Sequence, residues 1–185
     1  MARTALQITR AVVRLLGDGW TGVATGSAAR AGLEGPDGLC LDGEIRSSAS
    51  SRGSIRFEAR SSFEQATSPY IGTTRAVDDV EGIAEWIRSR ALPDWQERTA
   101  RTGRAVGALA FVTAEVTRLF PDATVSSGAR PGIASIRWSG GAAHLRGRGD
   151  GTVDFAKIVL DEVDGWAGLR VLAALGSGQT PSTDS

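Results

Sequence analysis

The chain carries one pattern twice. Displacing residues 5–18 by 104 positions lays Thr9, Val12, Arg14, Leu15 and Asp18 on Thr113, Val116, Arg118, Leu119 and Asp122, with Ala5, Ile8 and Leu16 on Leu109, Val112 and Phe120. Residues 77–84 lie on 160–167 at a displacement of 83, so the blocks keep their order while the offset shrinks. That is the mark of a duplicated supersecondary unit whose second copy has shorter loops. Such a repeat constrains architecture strongly and chemistry hardly at all.

Each copy starts with an amphipathic helix. Ala5, Ile8, Val12 and Leu15 recur at helical spacing while Arg3, Gln7, Arg10 and Arg14 hold the other face, which predicts a helix over 3–16 ended by Gly17-Asp18-Gly19. Leu109, Val112, Val116 and Leu119 rebuild the stripe in the second copy, ended by Pro121. Strands are expected at 19–29, 39–47 and 54–61, answered by 124–129, 133–138 and 142–148, with a further strand at 152–159. Pro69 and Gly72 interrupt the matching stretch at 70–76. Ile55, Phe57 and Ala59 alternate with Arg56, Glu58 and Arg60, and Ala143, Leu145 and Gly147 with His144, Arg146 and Arg148; one face of each strand is packed and the other charged.

A second helix closes each copy, with Asp78 and Asp161 as N-cap candidates; Val80, Ile83, Ala84 and Ile87 line the first, and Trp166 lies on the second. Residues 33–38 read as a loop and 47–53 as a Ser-rich hairpin loop, Pro93 marks the boundary between copies, and a helix from Trp95 is expected to run through Gly103. The fold class is therefore α+β: tandem helix–antiparallel sheet–helix repeats of three or four strands over 1–92 and 93–175, pseudo-twofold symmetric, with the sheets free to join into one curved sheet and a tail over 176–185 with nothing to bury.

Basic and acidic residues balance at 21 each, which argues against a strong field that steers nucleic acid or membrane. Twenty of the basic residues are Arg, Lys157 is the one Lys, and Asn is absent, a composition that suggests a GC-rich bacterial genome. Cys40, between Leu39 and Leu41, reads as a small buried hydrophobe and fits a reducing cytoplasm. No stretch is apolar and long enough for a signal peptide or a membrane span.

No catalytic constellation is visible. His144, the one histidine, reads as a surface residue, and one His with one Cys gives no metal-ligand pair, so neither metal nor cofactor is expected. The acidic clusters at 78–85 and 161–164 are explained by helix starts. The Arg-Gly-Asp triplet at 148–150 is explained by a hairpin turn. What stands out is segregation: Arg46, Arg56 and Arg60 on strands of the first copy, with Glu58 as the one acid between 45 and 62, and Arg137, Arg146 and Arg148 in the second, with no acid between 129 and 149. Trp86 and Trp95, near the junction, are candidate interface anchors. These eight residues are the candidate binding set. The reading they favour is a non-enzymatic protein-interaction module of the adaptor, chaperone or immunity type. A nucleic-acid binder is disfavoured by neutral charge, and a small-molecule enzyme would use a site between the repeats.

Overall fold

The computed structural model describes residues 3–46, 53–60, 71–128 and 130–160. It divides into two compact units, Met1–Thr99 and Ala100–Ser185. No helix among the described residues is long and apolar enough to cross a membrane.

The first unit opens with α1 (Ala5–Leu16), whose entry is a capping box: Thr4 Oγ1 accepts from Gln7 N–H at 3.2 Å and Gln7 Oε1 from Thr4 N–H at 2.9 Å. Gly17 ends it in a positive-φ conformation (φ 89°), and the Arg88 guanidinium donates to the otherwise orphaned Leu15 carbonyl. The buried stripe is Ala5, Ile8, Thr9 and Val12. Five strands follow as one antiparallel meander: β1 (Thr21–Ala24), β2 (Arg30–Glu34), β3 (Cys40–Arg46), β4 (Ser54–Ala59) and β5 (Gly72–Ala76). Then come α2 (Val80–Trp86), a wide π-turn (Ile87–Ala91) and α3 (Leu92–Leu119), which carries the boundary between the units. The inner sheet face, carrying Ala31, Leu33, Leu41, Ile55 and Phe57, packs in one core with α1 and with Val80, Ile83, Ala84, Ile87 and Ala91.

The second unit takes its helix from the later part of α3, burying Ala105, Leu109 and Val116, and its sheet from β6 (Thr124–Ser127), β7 (Ile133–Trp138), β8 (Gly141–Gly147) and β9 (Val153–Leu160), again an antiparallel meander. Its core holds Leu109, Val116, Ala134, Ile136, Ala143 and Leu145, with Trp138 stacked on Phe120 at 5.1 Å between ring centroids. Helix and sheet approach so closely that a Cβ on Gly147 would run into the Ala105 carbonyl.

The α+β class and the strand parities are as the sequence predicts, and so are the helical stripes except at their last positions, Leu15 and Leu119, which are 40% and 44% exposed. Several details differ. The ladders form two separate sheets, of five and four strands. The predicted strand 19–29 contracts to β1, and β2 takes up residues expected in part as a loop: Gly32 pairs with Val23 and Asp42, and the 3₁₀ turn Pro36–Gly38 alone reverses the chain. Cys40 is half-buried and shares the outer face with its register partner Glu34, because the inward parity of β3 belongs to Leu41. The cap of α2 is Asp79, whose carboxylate accepts from Gly82 N–H at 3.0 Å, one residue beyond Asp78. Pro93 ends nothing: Leu92 N–H bonds back to the Ile87 carbonyl, and this widened turn makes room for a ring that would clash with the carbonyl four residues earlier in a regular helix. The closing helix expected from Asp161, with Trp166, lies outside the described residues, as do 176–185 and most of the Ser-rich hairpin.

Candidate functional site

Register assigns every outward side chain of both sheets. On the first sheet, Arg30, Glu44, Arg56 and Thr74 form one row across β2–β5, and Gly32, Asp42, Glu58 and Gly72 the next. The rows are paired almost throughout. Arg30 donates to Glu44 Oε1 through Nε (3.0 Å) and Nη2 (2.6 Å), and Arg46 lies 4.0 Å from the other oxygen of the same carboxylate. Arg60 holds Asp42 in a two-point contact at 3.0 and 2.5 Å, and Arg56 is paired with Glu58. The Arg30 guanidinium keeps the Glu44 carboxyl below its ordinary range through its hydrogen bond and its charge, and Asp42 raises Arg60 in the same way. Arg46, Arg56 and Arg60 are therefore set against Asp42, Glu44 and Glu58. Two of these acids sit on β3, the neighbouring strand, where a count along the segment 45–62 does not find them.

The second sheet is built differently. Its outward rows are Thr124–Arg137–Ala142–Val159, Ser126–Ser135–His144–Lys157 and Ile133–Arg146–Asp154. Asp154 is the one carboxylate in these rows, and Arg148 engages it at 2.5 Å from just beyond β8. Among the described residues no carboxylate forms an ion pair with Arg137, Arg146 or Lys157. His144 is exposed and shares a 2.8 Å hydrogen bond through Nδ1 with Ser135 Oγ, directly across the ladder, and its other neighbour is Lys157. Arg137 and Arg146 are exposed on the same side. This face holds two guanidinium groups, an ammonium and an imidazole, separated by hydroxyl and small apolar side chains.

The remaining candidates have local partners. Trp86 packs against the first core. Trp95 does so too, and its indole N–H donates to the Asp37 carbonyl at 2.9 Å while Gln96 Nε2 donates to Asp37 Oδ2 at 2.8 Å. Together they clamp a non-glycine residue with φ 57°. The Arg-Gly-Asp triplet is a hairpin turn, closed by Gly151 N–H to the Arg148 carbonyl and by Asp150 accepting from the Thr152 hydroxyl (2.6 Å) and N–H (2.9 Å). Those two bonds hold the Asp150 carboxyl below its ordinary value. Among the described residues no group of three or more His, Cys, Asp and Glu side chains converges as a metal site would require. The chain matches no protein-family model, and no curated protein or solved structure is significantly similar to it.

Proposed function

We propose that the protein is a non-enzymatic interaction module that docks an acidic protein surface on the outer face of its second sheet. One observation carries this: Arg137, His144, Arg146 and Lys157 share an exposed face whose rows hold a single carboxylate, whereas the same chain neutralises the Arg residues of its first sheet strand by strand. Uncompensated like charge costs stability unless an opposite charge arrives from outside. The chain is then a duplicated unit in which one copy has closed its face upon itself and the other has kept it open.

Protein is favoured over nucleic acid by what lies between the charges. Ile133, Ala142 and Val159 interleave with the basic side chains, and no Phe, Tyr or Trp ring stands in the outward rows to stack on a base, His144 being the one ring there and bonded to Ser135. A labelled peptide rich in Glu and a labelled single-stranded RNA, each titrated at low and moderate salt, separate the two. The peptide is expected to bind, the variant with Arg137→Glu, Arg146→Glu and Lys157→Glu to lose at least about tenfold in affinity, and Arg56→Glu to leave binding unchanged. No binding of the peptide, tighter binding of the RNA, or equal loss from Arg56→Glu would overturn the reading.

A further inference from the structure

The second sheet has two edges, β6 and β9, and they are not equally protected. Proteins blunt open edges with charge, Pro, a bulge or a covering element. β9 has Lys157 and a register shift against His144/Leu145, and on the first sheet β5 carries Arg75. The remaining edge, β1, is uncharged and largely exposed too, but its inner face is closed by α1, with Gly22 against Thr9 and Arg10. β6 reads Thr-Val-Ser-Ser, without charge, Pro or bulge, and is exposed along its whole length.

Its free backbone groups follow from the ladder. Gly128 N–H bonds to the Ile133 carbonyl at 2.8 Å, so the hydrogen-bonded pairs with β7 are 128/133, 126/135 and 124/137. Val125 and Ser127 therefore turn their N–H and C=O groups away from β7, toward the open side. The side chains flanking that side are sorted by chemistry. Outward, Thr124 and Ser126 begin the rows that continue to Arg137 and to His144 and Lys157. Inward, Val125 begins the apolar row Ile136–Ala143–Ile158 and is itself 46% exposed.

We infer that the partner binds as an added strand on β6: an extended protein segment with acidic residues at alternate positions and apolar residues between them. Its backbone bonds Val125 and Ser127. Its acidic side chains fall on the outer face, and the one opposite Thr124 lies in the row of Arg137, two strand spacings away, about 10 Å, a gap that an Arg and a Glu side chain bridge between them. Its apolar side chains cover Val125 and extend the inner row. Main-chain pairing supplies affinity and the alternation supplies specificity. The inference rests on the basic-face reading and specifies how that face is used.

The test uses the full chain and three labelled peptides: Glu alternating with Val, the same composition in two blocks, and the alternating peptide N-methylated at every second amide. The alternating peptide is expected to bind at least about tenfold more tightly than either of the others, to slow amide hydrogen exchange at Val125 and Ser127, and to lose affinity with Val125→Pro, which removes an edge N–H without breaking the β6–β7 ladder. If the block and N-methylated peptides bind as well as the alternating one, or Val125 and Ser127 exchange unchanged in the complex, strand addition is overturned while the basic face stands. If no peptide binds, the basic-face reading falls and strand addition with it. Because exchange and N-methylation need no substitution, the outcome does not depend on the Pro variant folding.

Discussion

The outer faces of the two sheets start from the same device, Arg at alternate positions of antiparallel strands, and arrive at opposite electrostatic states. On the first, Arg30, Arg56 and Arg60 each find a carboxylate within their own sheet. On the second, Asp154 is the one acid in the outward rows, and Arg148 takes it. The paired groups Asp42, Glu44, Arg56 and Glu58 are half-buried, whereas Arg137, His144, Arg146 and Lys157 are exposed. The difference lies in the neighbouring strand: β3 brings Asp42 and Glu44 beside β4, whereas the central strands of the second sheet bring Ser135, Ala142 and His144. Net charge along a segment says little about a sheet face until the register is known.

The largest expected effect breaks the first face from beneath. Phe57 is fully buried below the Arg56 and Glu58 pair, and Phe57→Ala should cost about 3–5 kcal/mol in urea denaturation. Gly147→Ala attacks the other sheet at its closest approach to α3. Overpacking there should cost about 1–3 kcal/mol, where the same change at an open glycine such as Gly107 should not destabilise. The threonines Thr9 of α1 and Thr113 of α3 give a smaller contrast. Thr113 Oγ1 donates to the Ala110 carbonyl at 2.9 Å, whereas buried Thr9 Oγ1 has no partner among the described residues, so Thr9→Val should stabilise by about 1 kcal/mol and Thr113→Val should not.

Two smaller effects sharpen the comparison of charge. Arg60→Gln should lower the thermal midpoint slightly, by an amount that shrinks with added salt, and Arg137→Gln should leave it unchanged or raise it. Acid should erase the contrast between the faces. The Glu44 carboxyl sits below its ordinary value, so its pairing contributes stability above that value and loses it as pH falls through the lowered one. An NMR titration of Glu44 should show a midpoint below the ordinary range that rises toward it in Arg30→Gln.

Much of the scaffold is legible in the sequence because period reports burial directly. The stripe Ala5, Ile8, Val12, the alternation in β4 and the outward Arg146 of β8 are all as their spacing requires. What escapes is set by contacts distant in sequence. β2, with Gly32 at its centre, has little strand propensity and exists because β1 and β3 bracket it. The π-turn before Pro93 leaves no mark in a periodicity of four. The candidate site shows the same division. The exposure of Arg137, Arg146 and His144 follows from parity, but the pairing of Arg60 with Asp42 and the indole bond from Trp95 to Asp37 follow from register and from tertiary packing.

The meeting of Gly147 with the Ala105 carbonyl bears on kinship. Apolar positions in a helix stripe interchange freely among Leu, Ile, Val and Met, so relatives of this chain can drift far in sequence while keeping the same core. No such exchange is open at Gly147, where any side chain would have to displace the backbone of α3. A distant relative is better recognised by a glycine at the end of β8 that faces a small residue on the preceding helix than by the whole of the stripe between them.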